Sequence, residues 1–137
     1  MYQLIVYGEP KAKGRPRFAR RGKFVHTYTD AQTVSKEGEI KMAFKSTGLP
    51  KIDPHDEIIL HVRVFRPIPK SMSKKKRLLI SYDGIRPTTK PDADNYLKLV
   101  CDALNGLAWH DDAQIVDERC EKLYSDQPRL EIRYCAR

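Results

Sequence analysis

The sequence predicts an α/β (α+β) protein in which a single mixed β-sheet with hairpins packs against two or three helices. Three observations predict it. Short alternating or β-branched runs recur near the start, the middle and the end of the chain. Helix-periodic segments stand between them, and clusters of Gly, Pro, Asn, Asp and Ser separate the two kinds of segment. The 137 residues, 40% apolar and 32% charged, fit one domain spanning residues 1–137, large enough to bury a core without disulfides or structural metals.

Residues 2–7 alternate as a strand and end at Gly8-Glu9-Pro10. Arg15 to Tyr28 reads as a hairpin, with Arg20-Arg21-Gly22-Lys23 as its turn and Phe18, Phe24 and Tyr28 alongside. Asp30 caps a helix reaching Lys45, with Val34, Ile40, Met42 and Phe44 in its apolar stripe and Gly48 as its stop. Residues 57–66 form the clearest strand, with Leu60, Val62 and Val64 alternating against His61, Arg63 and Phe65 before Pro67 and Pro69 end it. Ser71 or Ser73 caps a short basic helix through Ile80, and Asp83-Gly84 turns the chain. The segment from Arg86 to Pro91, with two prolines, is extended and delivers Asp92. A helix from Asp94 to Asn105 follows, stopped by Asn105-Gly106. Residues 114–124 and 129–135 are two closing strands separated by Ser125-Asp126-Gln127-Pro128.

Bulk properties narrow the function. No apolar run approaches the ~20 residues that span a bilayer. The N-terminus lacks the basic leader and cleavage site of a signal peptide. The expectation is a soluble, cytoplasmic protein with no membrane partner. Cys101, Cys120 and Cys135 are far apart and form no Cys-x-x-Cys pair, which argues against a zinc ribbon and for reduced thiols. The net charge is +8. Seven basic residues and no acid lie between Pro10 and Lys23, and five basic residues and no acid between Lys70 and Arg77. The acids gather instead between Asp92 and Glu121. Basic stretches around a compact acidic cluster suit an enzyme that grips phosphates and holds a divalent cation; either run alone is explained as solvated surface.

The chemistry concentrates in residues 90–115. On a helix, Leu97, Val100, Cys101 and Leu104 form the core stripe, while Asp94, Lys98 and Asp102 share the polar side. A purely structural account makes Asp94 the N-cap and pairs Lys98 with both acids. Two features exceed it. Asp92 precedes the cap in an extended segment, and a second pair, Asp111-Asp112, follows the helix. Asp-x-Asp plus a distant Asp is a plausible site for a hard cation such as Mg²⁺, held by a few carboxylates, water and substrate phosphate. The cation removes the repulsion that gathering three carboxylates creates. Lys98 would offset their charge or meet developing charge on a phosphate.

The pattern Asp92-x-Asp94-Asn95-x-x-Lys98, Asp102-Ala103-Leu104-Asn105-Gly106 and Asp111-Asp112-x-Gln114-Ile115 resembles the RusA family of Holliday-junction resolvases. The opening Gly8-x-Pro10-x-x-Lys13-x-Arg15-Pro16-Arg17 is similar to that family's N-terminus. The resemblance implies a RusA-like fold and a crossover junction endodeoxyribonuclease of recombination and repair, largely of phages and prophages. It implies Asp92, Asp94 and Asp112 as metal-binding carboxylates and Lys98 as the catalytic lysine. It further implies one or two Mg²⁺ ions per site with Mn²⁺ as substitute, and a homodimer acting on four-way DNA. Asp111 is open between ligand, supporting group and loop cap.

For DNA contact the candidates are Lys11, Lys13, Arg15, Arg17, Arg20, Arg21, Lys74, Lys75, Lys76 and Lys90, with Lys13, Arg15 and Arg17 sharing one strand face. Phe18 and Phe24 either stack on bases or pack within the hairpin. His110 reads as a solvated loop residue, and Trp109 as a cap on the core rather than a base-stacking group. Two rival functions remain: a nuclease for other branched DNA such as flaps or forks, and a non-catalytic basic DNA-binding module. A structural or phage-assembly role ranks below both.

Overall fold

The computed structural model describes every residue except Arg15 and Pro16, and for Arg17 and Arg21 the backbone alone. The expectation that Arg15 contacts DNA therefore lies outside the described residues, as do those for the side chains of Arg17 and Arg21. The chain runs β1 (Tyr2–Tyr7), β2 (Arg17–Arg21), β3 (Phe24–Tyr28), α1 (Ala31–Thr47), β4 (Ile58–Pro67), α2 (Lys74–Tyr82), α3 (Ala93–Leu104), β5 (Ile115–Ser125) and β6 (Arg129–Ala136). A single 3-10 turn, Asp112–Gln114, leads into β5.

Four strands form a mixed sheet in the order β1-β6-β4-β5. Strand β6 is antiparallel to both β1 and β4, whereas β5 is parallel to β4. A parallel pair needs a long crossover, and here that crossover carries α2 and α3. The closing strands β5 and β6 do not pair with each other, because β4 lies between them. The expected hairpin is real, but β2 and β3 pair only with each other, as a separate ribbon. Among the described residues nothing buries Phe18 and Phe24 of that ribbon, which are 71% and 79% exposed. Packing within the hairpin is therefore not their role.

One face of the sheet carries the core. Leu60, Val62 and Val64 of β4 stand beside Leu4 and Val6 of β1 and Leu130, Ile132 and Tyr134 of β6, all buried under α1 and α3. Helix α1 begins on Asp30, whose carboxylate accepts from Thr33 N at 2.9 Å, and stops at Gly48 in the left-handed region (φ 67°). Its buried face runs through Thr33, Lys36, Ile40 and Phe44. Val34 and Met42, expected in that stripe, are 56% and 74% exposed, because the spacing 33, 36, 40, 44 tracks a 3.6-residue turn and theirs does not. The stripe of α3 is likewise shifted: Tyr96, Leu99, Val100, Ala103 and Leu104 are buried, while Leu97 and Cys101 sit half-buried at its border. Trp109 is fully buried, edge-on to Tyr134 with ring centroids 5.8 Å apart. Among the described residues no helix is long and apolar enough to cross a membrane.

Helix α2 buries no side chain. Ser73, not Ser71, is its N-cap, accepting from Lys76 N at 3.2 Å, and Lys74, Lys75 and Lys76 are all exposed.

Candidate active site

The site begins with a loop that cannot be helical. Across residues 86–91, Pro87 is buried and the backbone carbonyls reach outward to cations on the sheet. Lys122 Nζ donates to Thr89 O at 2.8 Å and to Pro91 O at 3.0 Å, and Arg66 Nη1 donates to Thr89 O at 3.0 Å. The next residue, Asp92, occupies the N-cap position of α3 with an extended backbone (φ −71°, ψ 153°). The helix thus starts earlier than expected, and Asp94 lies in its first turn rather than capping it. Asp92 makes no side-chain cap bond; its carboxylate pairs with Lys90 Nζ at 3.3 and 3.4 Å. An acid at the start of a helix is favoured by the partial positive charge of unpaired N–H groups, so both positions suit carboxylates.

One turn and two turns along α3 come Lys98 and Asp102, whose charged groups lie 3.6 Å apart. Asp102 is also 2.9 Å from Lys13 Nζ, which in turn donates to Glu37 of α1 at 2.8 Å. Lys13 N donates to Asn95 O as well, at 3.1 Å. Lys13 therefore departs from its expected place on an open phosphate-binding face: it fastens the N-terminal arm to α3 and α1. Gly14, next to it, lies so close to α1 that its N–H reaches Thr33 Oγ1 at 2.9 Å and an added Cβ would collide with the Asp30 carboxylate.

After α3 the chain turns through Asn105-Gly106 and builds a tight capping structure. Asp111 accepts from Ala113 N at 2.9 Å, while Gln114 Oε1 accepts from His110 N and Asp111 N. Gln114 Nε2 reaches the carbonyls of Asp53 and Asp56. Of the roles open to Asp111, the structure shows the loop cap. This frame orients Asp112, whose Oδ1 accepts from the buried Trp109 indole at 2.7 Å and whose N–H donates to Asn105 Oδ1 at 3.2 Å. Burial pushes the Asp112 carboxyl up from its ordinary range. The Trp109 bond opposes that shift, Asp102 and Asp111 add to it, and Lys98 works against it.

These elements meet around an open pocket of about 270 Å³ lined by Asp94, Leu97, Lys98, Cys101, Asp102, Asp112 and Glu118. Three of the four residues singled out from the sequence, Asp94, Lys98 and Asp112, line this one pocket. Asp92 is not in its lining and stands two residues from Asp94 at the helix start. Glu118 is the addition that sequence reasoning missed, since an acid in a charged strand carries no signal of its own. Exposed but on the pocket's side, it stands there because β5 carries one extra residue: Ile58 pairs with Ile115 but Ile59 with Asp117. That bulge sets Glu118, Cys120 and Lys122 opposite the helix-facing Leu60, Val62 and Val64. A larger cavity of about 500 Å³, bordered by Tyr2, Pro50, Asp53 and Cys135, contains none of these groups.

The donor chemistry suits a hard cation. The polar lining offers carboxylate oxygens and one ammonium. Burial, with Asp112, Glu118 and Asp102 adding to it, pushes the Cys101 thiol up to about 12, so it offers no thiolate near neutral pH. Among the described residues no three acids, histidines or cysteines draw close enough to enclose a metal ion unaided. A hard cation here would need water and substrate phosphate beside one or two of these carboxylates.

The expected DNA contacts are dispersed. Lys74, Lys75 and Lys76 project from α2 and Arg20 from the ribbon; Lys11 lies 3.6 Å from Glu9, and Lys90 engages Asp92.

The family model described as endodeoxyribonuclease RusA matches residues 7–134 of this chain. The "uncharacterized protein YqaN" of Bacillus subtilis (strain 168) is 43% identical over 132 residues, which cover 95% of this chain and 92% of that one.

Proposed function

The chain belongs to the RusA family of endodeoxyribonucleases, and from that premise we propose that it is a Mg²⁺-dependent, structure-specific nuclease that resolves four-way DNA junctions by paired symmetric nicks. The observation that carries this reading is the meeting of Asp94 and Lys98 of α3 with Asp112 on one open pocket. In this reading Asp92, Asp94 and Asp112 hold one or two cations, Mn²⁺ substituting for Mg²⁺. Such a cation supplies Lewis-acid polarisation of the scissile phosphate and lowers the pKa of a water bound beside it. Trp109 fixes one oxygen of Asp112, which itself lines the pocket. Lys98, largely exposed and held loosely at 3.6 Å by Asp102, can follow charge as it develops on the phosphate.

A two-fold homodimer would present two such pockets to a junction that is itself two-fold, which makes the nicks symmetric. Phosphate contacts come from Lys11, Arg15, Arg17, Arg20 and Arg21 of the arm and ribbon, from Lys74, Lys75 and Lys76 of α2, and from Lys90. The setting is recombination and repair of DNA in the cytoplasm, with a prophage as the family's usual home.

The test is nicking of a labelled synthetic four-way junction in Mg²⁺, beside duplex, flap and fork, by wild type and Asp94→Asn. Symmetric nicks on the junction, lost in the variant while binding persists, are expected. Cleavage of flaps or forks alone would move the substrate; binding without cleavage in any divalent metal would leave only a basic DNA-binding module.

A further inference from the structure

We propose that Lys122 of β5 is a positioning residue for the active site, holding the loop that delivers Asp92 and Asp94. The inference rests on the nuclease reading above, but its structural half can be tested without it.

Lys122 stands at an unusual place for a lysine. Strand residues alternate between faces, and its partner in β4 is Val64, a core residue on the helix side. Without the extra residue at the start of β5, Arg119 and Glu121 would point inward and Lys122 out. With it, Lys122 is half-buried on the helix side, and its ammonium reaches Thr89 O at 2.8 Å and Pro91 O at 3.0 Å. Together with Arg66 to Thr89 O at 3.0 Å, these are the hydrogen bonds that hold the backbone of residues 86–91 among the described residues. Two of the three come from Lys122, and one of its acceptors is the carbonyl immediately before Asp92.

An inward lysine on an edge strand also discourages strand addition by another chain. That alone does not call for two short bonds to the loop ahead of the acids. Bonds from a charged donor are shorter and stronger than neutral ones, so the loop is set against the sheet rather than left to the prolines. A site that places carboxylates on a cation and a phosphate depends on such placement, since misplacement by about 1 Å costs up to a hundred-fold in rate.

The experiment compares Lys122→Met, which keeps the stem but removes the donors, with Lys122→Arg, which keeps donors. Backbone order parameters of the non-proline residues between 88 and 94 in the metal-free protein are measured first, by nitrogen-15 relaxation. Order parameters dropping from about 0.85 to below about 0.6 in Lys122→Met, and staying near wild type in Lys122→Arg, are expected. Junction nicking should then show kcat lowered about ten- to a hundred-fold in Lys122→Met. Its KM for DNA should stay close to wild type and its half-saturating Mn²⁺ concentration should rise, with Lys122→Arg recovering most of the rate. Unchanged order parameters, or a variant that merely aggregates or melts earlier with wild-type kcat and Mn²⁺ dependence, overturns the proposal. If the order parameters fall but wild type nicks no branched DNA, the loop-holding role stands, and both the nuclease reading and the catalytic half of the proposal fall.

Discussion

At the scale of single residues, the informative side chains are those whose charge is already committed. Lys13 is the clearest. Burial pulls its pKa down, but the bonds to Glu37 and Asp102 outweigh that and raise it, so the ammonium persists at any ordinary pH. Removing it by Lys13→Met takes the short partner from two partly buried acids and leaves Asp102 only the longer pair with Lys98, which should cost about 1–3 kcal/mol of stability. Because Lys13 is engaged inside the protein, the same change should hardly alter the salt dependence of DNA binding. Urea denaturation and binding isotherms at several salt concentrations check both halves. A slope shallower by about one unit with unchanged stability would show Lys13 on a phosphate instead. Its alternation with Arg15 and Arg17 in the sequence pointed outward, but Lys13 lies before β2 begins, where strand alternation does not apply.

At the scale of elements, the polar face of α3 was legible because helical spacing alone puts Asp94, Lys98 and Asp102 together. The start of that helix and the centre of its apolar stripe were not, because both depend on where the loop before it is pinned and on which side of α3 meets α1 and the sheet. Glu118 and Lys122 were hidden for a related reason. Their direction is set by a bulge in the β4–β5 register, a long-range pairing that no local pattern encodes. Helix α2 is the opposite case: its cap, basic composition and exposure follow from local sequence, and it contributes no buried side chain. Replacing Lys74, Lys75 and Lys76 together by Ala should therefore leave stability within about 0.5 kcal/mol of wild type. If all three meet phosphates, the slope of log affinity against log salt should become shallower by about 3. Junction binding titrated across salt measures it, and an unchanged slope would remove α2 from the DNA-binding surface.

At the scale of the whole molecule, strand existence was legible and strand order was not. The two last strands are neighbours in sequence, yet β6 lies between β1 and β4, and this central place makes its side chains the ones that close the core. Tyr134 is the case to test. Its ring is fully buried against Trp109, and its hydroxyl donates to Pro50 O at 3.2 Å, tying β6 to the segment whose Ile52 N bonds Ala108 O at 2.8 Å. Burial, with a smaller contribution from Tyr2, pushes the phenol from 10.0 up to about 12. The folded state thus prefers the neutral phenol, so this stabilisation is fully present below pH 10 and is lost as pH rises through 10 towards 12. The Cys101 thiol, raised from 9.0 to about 12, adds a contribution of the same sign that begins lower. Unfolding free energy should fall steeply across this alkaline range. In Tyr134→Phe it should start about 1 kcal/mol lower at neutral pH, from the lost hydrogen bond, and then fall less steeply. Urea titrations from pH 8 to 12 measure both curves; parallel curves would mean that the phenol ionises as freely in the fold as in the open chain, and that the closure of β6 over Trp109 does not keep water from it.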